Sequence, residues 1–94
     1  MIVGTCQIEL YLPGVSSLKE KRGIVKSLLA RLHNTFNVAA AEIDHHDLWQ
    51  SALIGVAAVS NSTRHTDQLL QNVLAWIETN FPDALITRHE IRLL

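Results

Sequence analysis

Ile2, Gly4, Cys6, Ile8, Leu10 and Leu12 alternate with Val3, Thr5, Gln7, Glu9 and Tyr11. A period of two is that of a strand burying one face. Pro13-Gly14 ends it with a turn signal. Ser17-Leu18-Lys19-Glu20 then matches a capping box, in which the serine hydroxyl takes one orphan backbone amide and the glutamate reaches back to another. Leu18, Val25, Leu28, Leu29 and Leu32, with Ile24 beside them, recur at helical spacing and predict an amphipathic helix ending near Asn34.

Residues 36–43 and 51–60 are rich in Ala, Val and Ile and flank the polar run Asp44-His45-His46-Asp47, which predicts two strands joined by a loop. Asn61-Ser62-Thr63 offers N-cap chemistry for a second helix with the stripe Leu69, Leu70, Val73, Leu74 and Ile77, stopped near Pro82. Residues 84–94 alternate again, with Leu85, Ile91 and Leu93 expected inward. The order β-α-β-β-α-β predicts an α+β ferredoxin-like sandwich, a four-stranded antiparallel sheet with both helices on one face.

The other sheet face is left open and would carry Thr5, Gln7, Glu9, Tyr11, Arg88, Glu90 and Arg92. Strand 51–60 is apolar on both sides, so an outward row such as Leu53, Gly55, Ala57 and Val59 calls for partial cover.

Ninety-four residues leave room for one core, so residues 1–94 are read as a single domain. Hydrophobic residues at 48% against 18% charged exclude a disordered chain. Apolar runs break well before the roughly 20 residues that span a bilayer, and the start lacks a basic leader. Cys6 is the single cysteine, which excludes an internal disulfide or a CxxC pair. A cytoplasmic protein without membrane association is expected. A net charge of −1 argues against coating nucleic acid through overall charge, but the charge is uneven. Between Val15 and Thr35 lie Lys19, Lys21, Arg22, Lys26 and Arg31 against Glu20 alone, whereas the charges of residues 42–47 are all acidic.

Lys19, Lys21 and Arg22 occupy the opening turn of the first helix, where the macrodipole disfavours each cation by about 0.3–1 kcal/mol. Clustered cations beside free amides suit an anion, so Ser17, Lys19, Lys21, Arg22 and Lys26 form the candidate site for phosphate or RNA backbone. The plainer readings are a solvated face, or a patch pairing with Glu42, Asp44 or Asp47 of a neighbouring subunit. Trp49 and Tyr11 are the candidate partner anchors. His45-His46-Asp47, with His65 and His89, offers ligand chemistry but no HxxxH or HExxH spacing, so no metal site is assigned and no cofactor is expected. No GxSxG elbow, Walker A loop or GxGxxG occurs, and Cys6 sits in a predicted strand. An acylphosphatase-like enzyme would need an arginine in the loop after the first strand, and residues 13–17 hold none.

Ser17-Leu18-Lys19-Glu20-Lys21-Arg22, then Phe36-Asn37-Val38 through Ala41-Glu42, then Asp47-Leu48-Trp49-Gln50 leading to Gly55-Val56-Ala57 and Val59-Ser60-Asn61, together resemble the YlxP-like family of small bacterial proteins. The resemblance runs over nearly the whole chain. It implies a ferredoxin-like fold and, because genes of the family often neighbour those for translation initiation and ribosome maturation factors, a ribosome or RNA role. No catalytic residues are established for that family, so none carry over. Gly23 departs from the family, whose members often have a larger or basic side chain there, at a cost of about 1 kcal/mol of helix propensity.

A noncatalytic module is therefore expected, bound to ribosomal RNA or the ribosome through the first helix. The alternative is a protein-interaction or homo-oligomerisation domain using the open sheet face or an edge strand, with or without a small molecule at a dimer interface.

Overall fold

In the computed structural model, which describes residues 1–94, β1 (Ile2–Tyr11) is one of the two inner strands of the sheet. Its alternation is the one expected: Gly4, Cys6, Ile8 and Leu10 are buried, while Gln7 and Tyr11 are exposed. β3 (Ser51–Ser60) pairs antiparallel on one side, with Ile8 opposite Ile54. β4 (Leu85–Leu93) pairs antiparallel on the other, and β2 (Ala39–Asp44) adds outside β3. The sheet order is β2-β3-β1-β4. Helices α1 (Leu18–Thr35) and α2 (Thr63–Asn80) bury Val25, Leu28, Leu32, Leu70, Val73 and Ile77 in one core with Cys6, Ile8, Ile54 and Val56. This is the ferredoxin-like α+β sandwich, with the second sheet face uncovered.

Local chemistry sets the details. Ser17 Oγ accepts from the Glu20 amide at 3.1 Å, as the capping motif requires, but the Glu20 carboxylate accepts from Ser16 N and Ser16 Oγ, not from Ser17. The capping box is thus half made. β2 begins three residues later than expected because Phe36 caps α1, its amide donating to Leu32 O, and its ring meets Trp76 edge-on at 6.0 Å. Trp76 also neighbours Phe81, and the Arg31 guanidinium lies over both rings.

Leu85 does not point inward. The β1–β4 register slips between Glu9 and Leu10, leaving Thr87 without a partner, so Ile86 stands opposite Leu10 and Leu85 opposite Tyr11 on the outer face. One extra residue reverses the parity of what precedes it. Ile91, opposite Cys6, and Leu93, opposite Gly4, keep the inward side. A second slip leaves out Ile43 between Glu42 and Asp44. Its side chain spreads over Gly55, where a Cβ would stand 2.9 Å from Ile43 Cγ2.

Gly4 is required by the start of α2. A Cβ there would collide with Thr66 Cγ2 and come within 3.1 Å of Leu70 Cδ1. Thr66 cannot withdraw, since it is fully buried and its hydroxyl contacts Ser60 Oγ at 2.7 Å and donates to Ser62 O at 3.0 Å.

Two glycines should therefore respond oppositely to alanine. Gly4→Ala should destabilise by about 1–3 kcal/mol through overpacking, with partial recovery when Thr66→Ser removes the colliding methyl. A Cβ on Gly23 meets nothing within 4 Å, so Gly23→Ala should stabilise by about 0.5–1 kcal/mol. Urea denaturation at constant m measures both.

Candidate nucleic-acid interface

Helical periodicity sorts the cations of α1 onto two faces. Lys19, Arg22 and Lys26, three and four residues apart, are exposed and form no ion pair with an acid of this chain. Lys21 falls in line with Val25, Leu28 and Leu32 on the buried face and is completely enclosed. Its ammonium lies 2.8 Å from Oε2 of Glu42 and donates to the carbonyl of His45. That carboxylate oxygen is itself buried without a hydrogen-bond partner, so the 2.8 Å approach is a charge contact off the hydrogen-bond axis.

Lys21 therefore leaves the candidate anion site. A lysine so enclosed cannot meet a phosphate without breaking its contact with Glu42. The sequence reading pairs the patch with Glu42 of a neighbouring subunit; for Lys21 that pair is made instead within the chain. Ser17 is also engaged, its hydroxyl holding the Glu20 amide. Of the five residues expected to bind an anion, Lys19, Arg22 and Lys26 stand free on one face.

The other expected residues are drawn to the same end of the domain. β1 finishes at Tyr11 opposite Ser51, and α1 starts after the loop that follows, so the β2–β3 loop and the first turns of α1 share one end of the sheet. Trp49 is 55% exposed in that loop and Leu48 is 50% exposed. The loop is fastened at several points. Asp44 Oδ1 accepts from the His45 amide, and His45 takes a left-handed φ of 66°. The carbonyl of His45 accepts from the Leu48 amide at 3.0 Å as well as from Lys21. Gln50 Nε2 donates to Pro13 O and Val15 O, while Leu12 N donates to Gln50 O. Tyr11 sits apart from the cations, on the outer sheet face beside Leu85.

Beside Lys19 a groove of about 830 Å³ opens between the start of α1 and the α2–β4 turn, floored by Val15, Ile24, Phe81 and Ala84. No three His, Cys, Asp or Glu side chains come together as a metal would need. Cys6 is buried, and burial pushes its thiol up to about 11, which keeps it protonated and unreactive near neutrality.

Glu42 and Gln50 organise this end; the sequence named Glu42 only as a partner across subunits and did not single out Gln50 as a site residue. For the Lys21–Glu42 pair the signal was present in both the helical spacing of Lys21 with Val25 and Leu28 and the strand alternation of Glu42 with Ala40.

Removing one member of the buried pair should cost far more than removing both. Lys21→Met, which strands the Glu42 carboxylate, should destabilise by about 3 kcal/mol, and Lys21→Met with Glu42→Leu should regain most of it. Lys19→Ala should stay within about 0.5 kcal/mol of the parent. Equal losses in all three variants, read by urea denaturation, would contradict the arrangement.

The family described as "Protein of unknown function (DUF503)" matches residues 3–91. The "Uncharacterized protein YlxP" of Bacillus subtilis (strain 168) is 43% identical over 91 residues, spanning 95% of this chain and 98% of that protein. With a match over nearly its whole length and a relative of that identity, the chain belongs to the DUF503 family.

Proposed function

We propose that this chain is a noncatalytic RNA-binding module of the bacterial cytoplasm, associated with the ribosome and gripping phosphate backbone through α1. The observation that supports this most is the sorting of cations. The fold neutralises Lys21 internally but leaves Lys19, Arg22 and Lys26 unpaired on one exposed face. The nearest acid in sequence, Glu20, is held by Ser16. Three free cations at i, i+3 and i+7 follow one line along the helix, suited to successive phosphates.

Three phosphate contacts give a modest, salt-sensitive affinity, with log K falling against log salt by about 0.7–0.9 per contact. In a salt series with structured ribosomal RNA, the K19A/R22A/K26A variant should bind more weakly and with a slope shallower by about 2–3. Parent and variant with the same slope would refute contact through this face.

A second reading rests on the uncovered sheet face. Val59 is 64% exposed and Ile43 47% exposed, in a row with Ala39, Ala41 and Ala57, while Tyr11 and Leu85 continue the apolar surface at one end. Such a face serves a protein partner or a second copy of the chain. If it joins copies, sedimentation should show a concentration-dependent dimer that Val59→Glu abolishes. A monomer at all concentrations would exclude self-association.

A further inference from the structure

We infer that Trp49 stacks on an unpaired base, so that the RNA bound through α1 carries a single-stranded nucleotide next to its phosphate contacts. This rests on the α1 reading and names the feature of RNA that the same end of the domain recognises.

Trp49 is the exposed one of the two tryptophans. The other tryptophan, Trp76, packs between Phe36 and Phe81, whereas Trp49 is 55% exposed on a loop. Leaving an indole in water forgoes the burial that places most aromatics inside. The loop is nevertheless anchored on both flanks, at His45 by Lys21 and at Gln50 by the β1–α1 loop. An aromatic presented on a fastened loop loses little freedom on binding.

Lys21 gives the placement its meaning. It belongs to the helix that displays Lys19 and Arg22, and its ammonium holds the loop that displays Trp49. The two contact groups are thus parts of one braced unit. Charge then divides the labour. Asp44 at the end of β2 and Asp47 in the loop repel phosphate, while α1 carries the cations that attract it. Backbone belongs over α1, and an uncharged base belongs against the indole. Bases within a duplex are already stacked and offer Trp49 no face, so the stacked base comes from a single-stranded stretch.

The test uses the full chain, an RNA hairpin with a single-stranded tail and the same hairpin with a blunt end. The tailed hairpin should bind about ten-fold tighter, as expected for one stacked base. Trp49→Ala should reduce the tailed hairpin to blunt affinity without changing the salt slope, and Trp49→Phe should restore most of the difference. In Trp76→Phe, where the remaining emission comes from Trp49, the tailed hairpin should quench fluorescence and the blunt one should not. Equal binding of both hairpins with a normal salt slope, unaffected by Trp49→Ala, would overturn the stacking inference while leaving α1 contact intact. Binding of neither hairpin would overturn both.

Discussion

The buried contact of Lys21 with Glu42 and His45 joins three parts of the fold; besides it, α1 meets β2 through apolar surface and one hydrogen bond, from the Ala40 amide to His33 Nε2. α1 lies on the core side of the sheet, β2 is an edge strand, and the β2–β3 loop continues from it. A charge contact between Lys21 and Glu42 fixes the register of β2 against the helix, because a one-residue slip would carry Glu42 to the outer face and leave Lys21 buried without its partner. An inward-pointing charge on an edge strand also discourages pairing with another chain's edge. Such pairs add little net stability over apolar replacements, so the consequence lies in the position it imposes. The hydrogen bond from Lys21 to His45 O carries that position into the loop.

Most of the fold was legible in the hydrophobic pattern. β1, β3 and both helices follow their periodicities, and the Ser17 and Ser62 caps begin the helices where the motifs place them. The departures have local causes. Phe36 reads as a strand residue but is used to close α1 against Trp76. Leu85 points outward because Thr87 is an unpaired bulge residue, and no propensity announces where a register will slip. Gly4 reads as a weak strand position, and its necessity comes from Thr66, more than sixty residues away in the chain.

The candidate site was half legible. Charge density alone put Lys21 with Lys19, Arg22 and Lys26, although its spacing to Val25 and Leu28 already set it on the buried stripe. Trp49 was visible as a loop aromatic, but its place at the same end as the cations depends on the antiparallel topology. Moving one cation inside makes the remaining surface better defined: three free charges on a helix, and at the same end of the sheet an aromatic on a loop braced by the fourth.

The most direct test is a nitrogen-proton correlation spectrum of the labelled protein titrated with the tailed RNA hairpin. The expected shifts fall on the amides of the first two turns of α1, on residues 45–50 and on the Trp49 indole, while the outer face of β2 and β3 stays unmoved. Shifts confined to Ala39, Ala41, Ala57 and Val59 would place the interface on the open sheet and contradict the account.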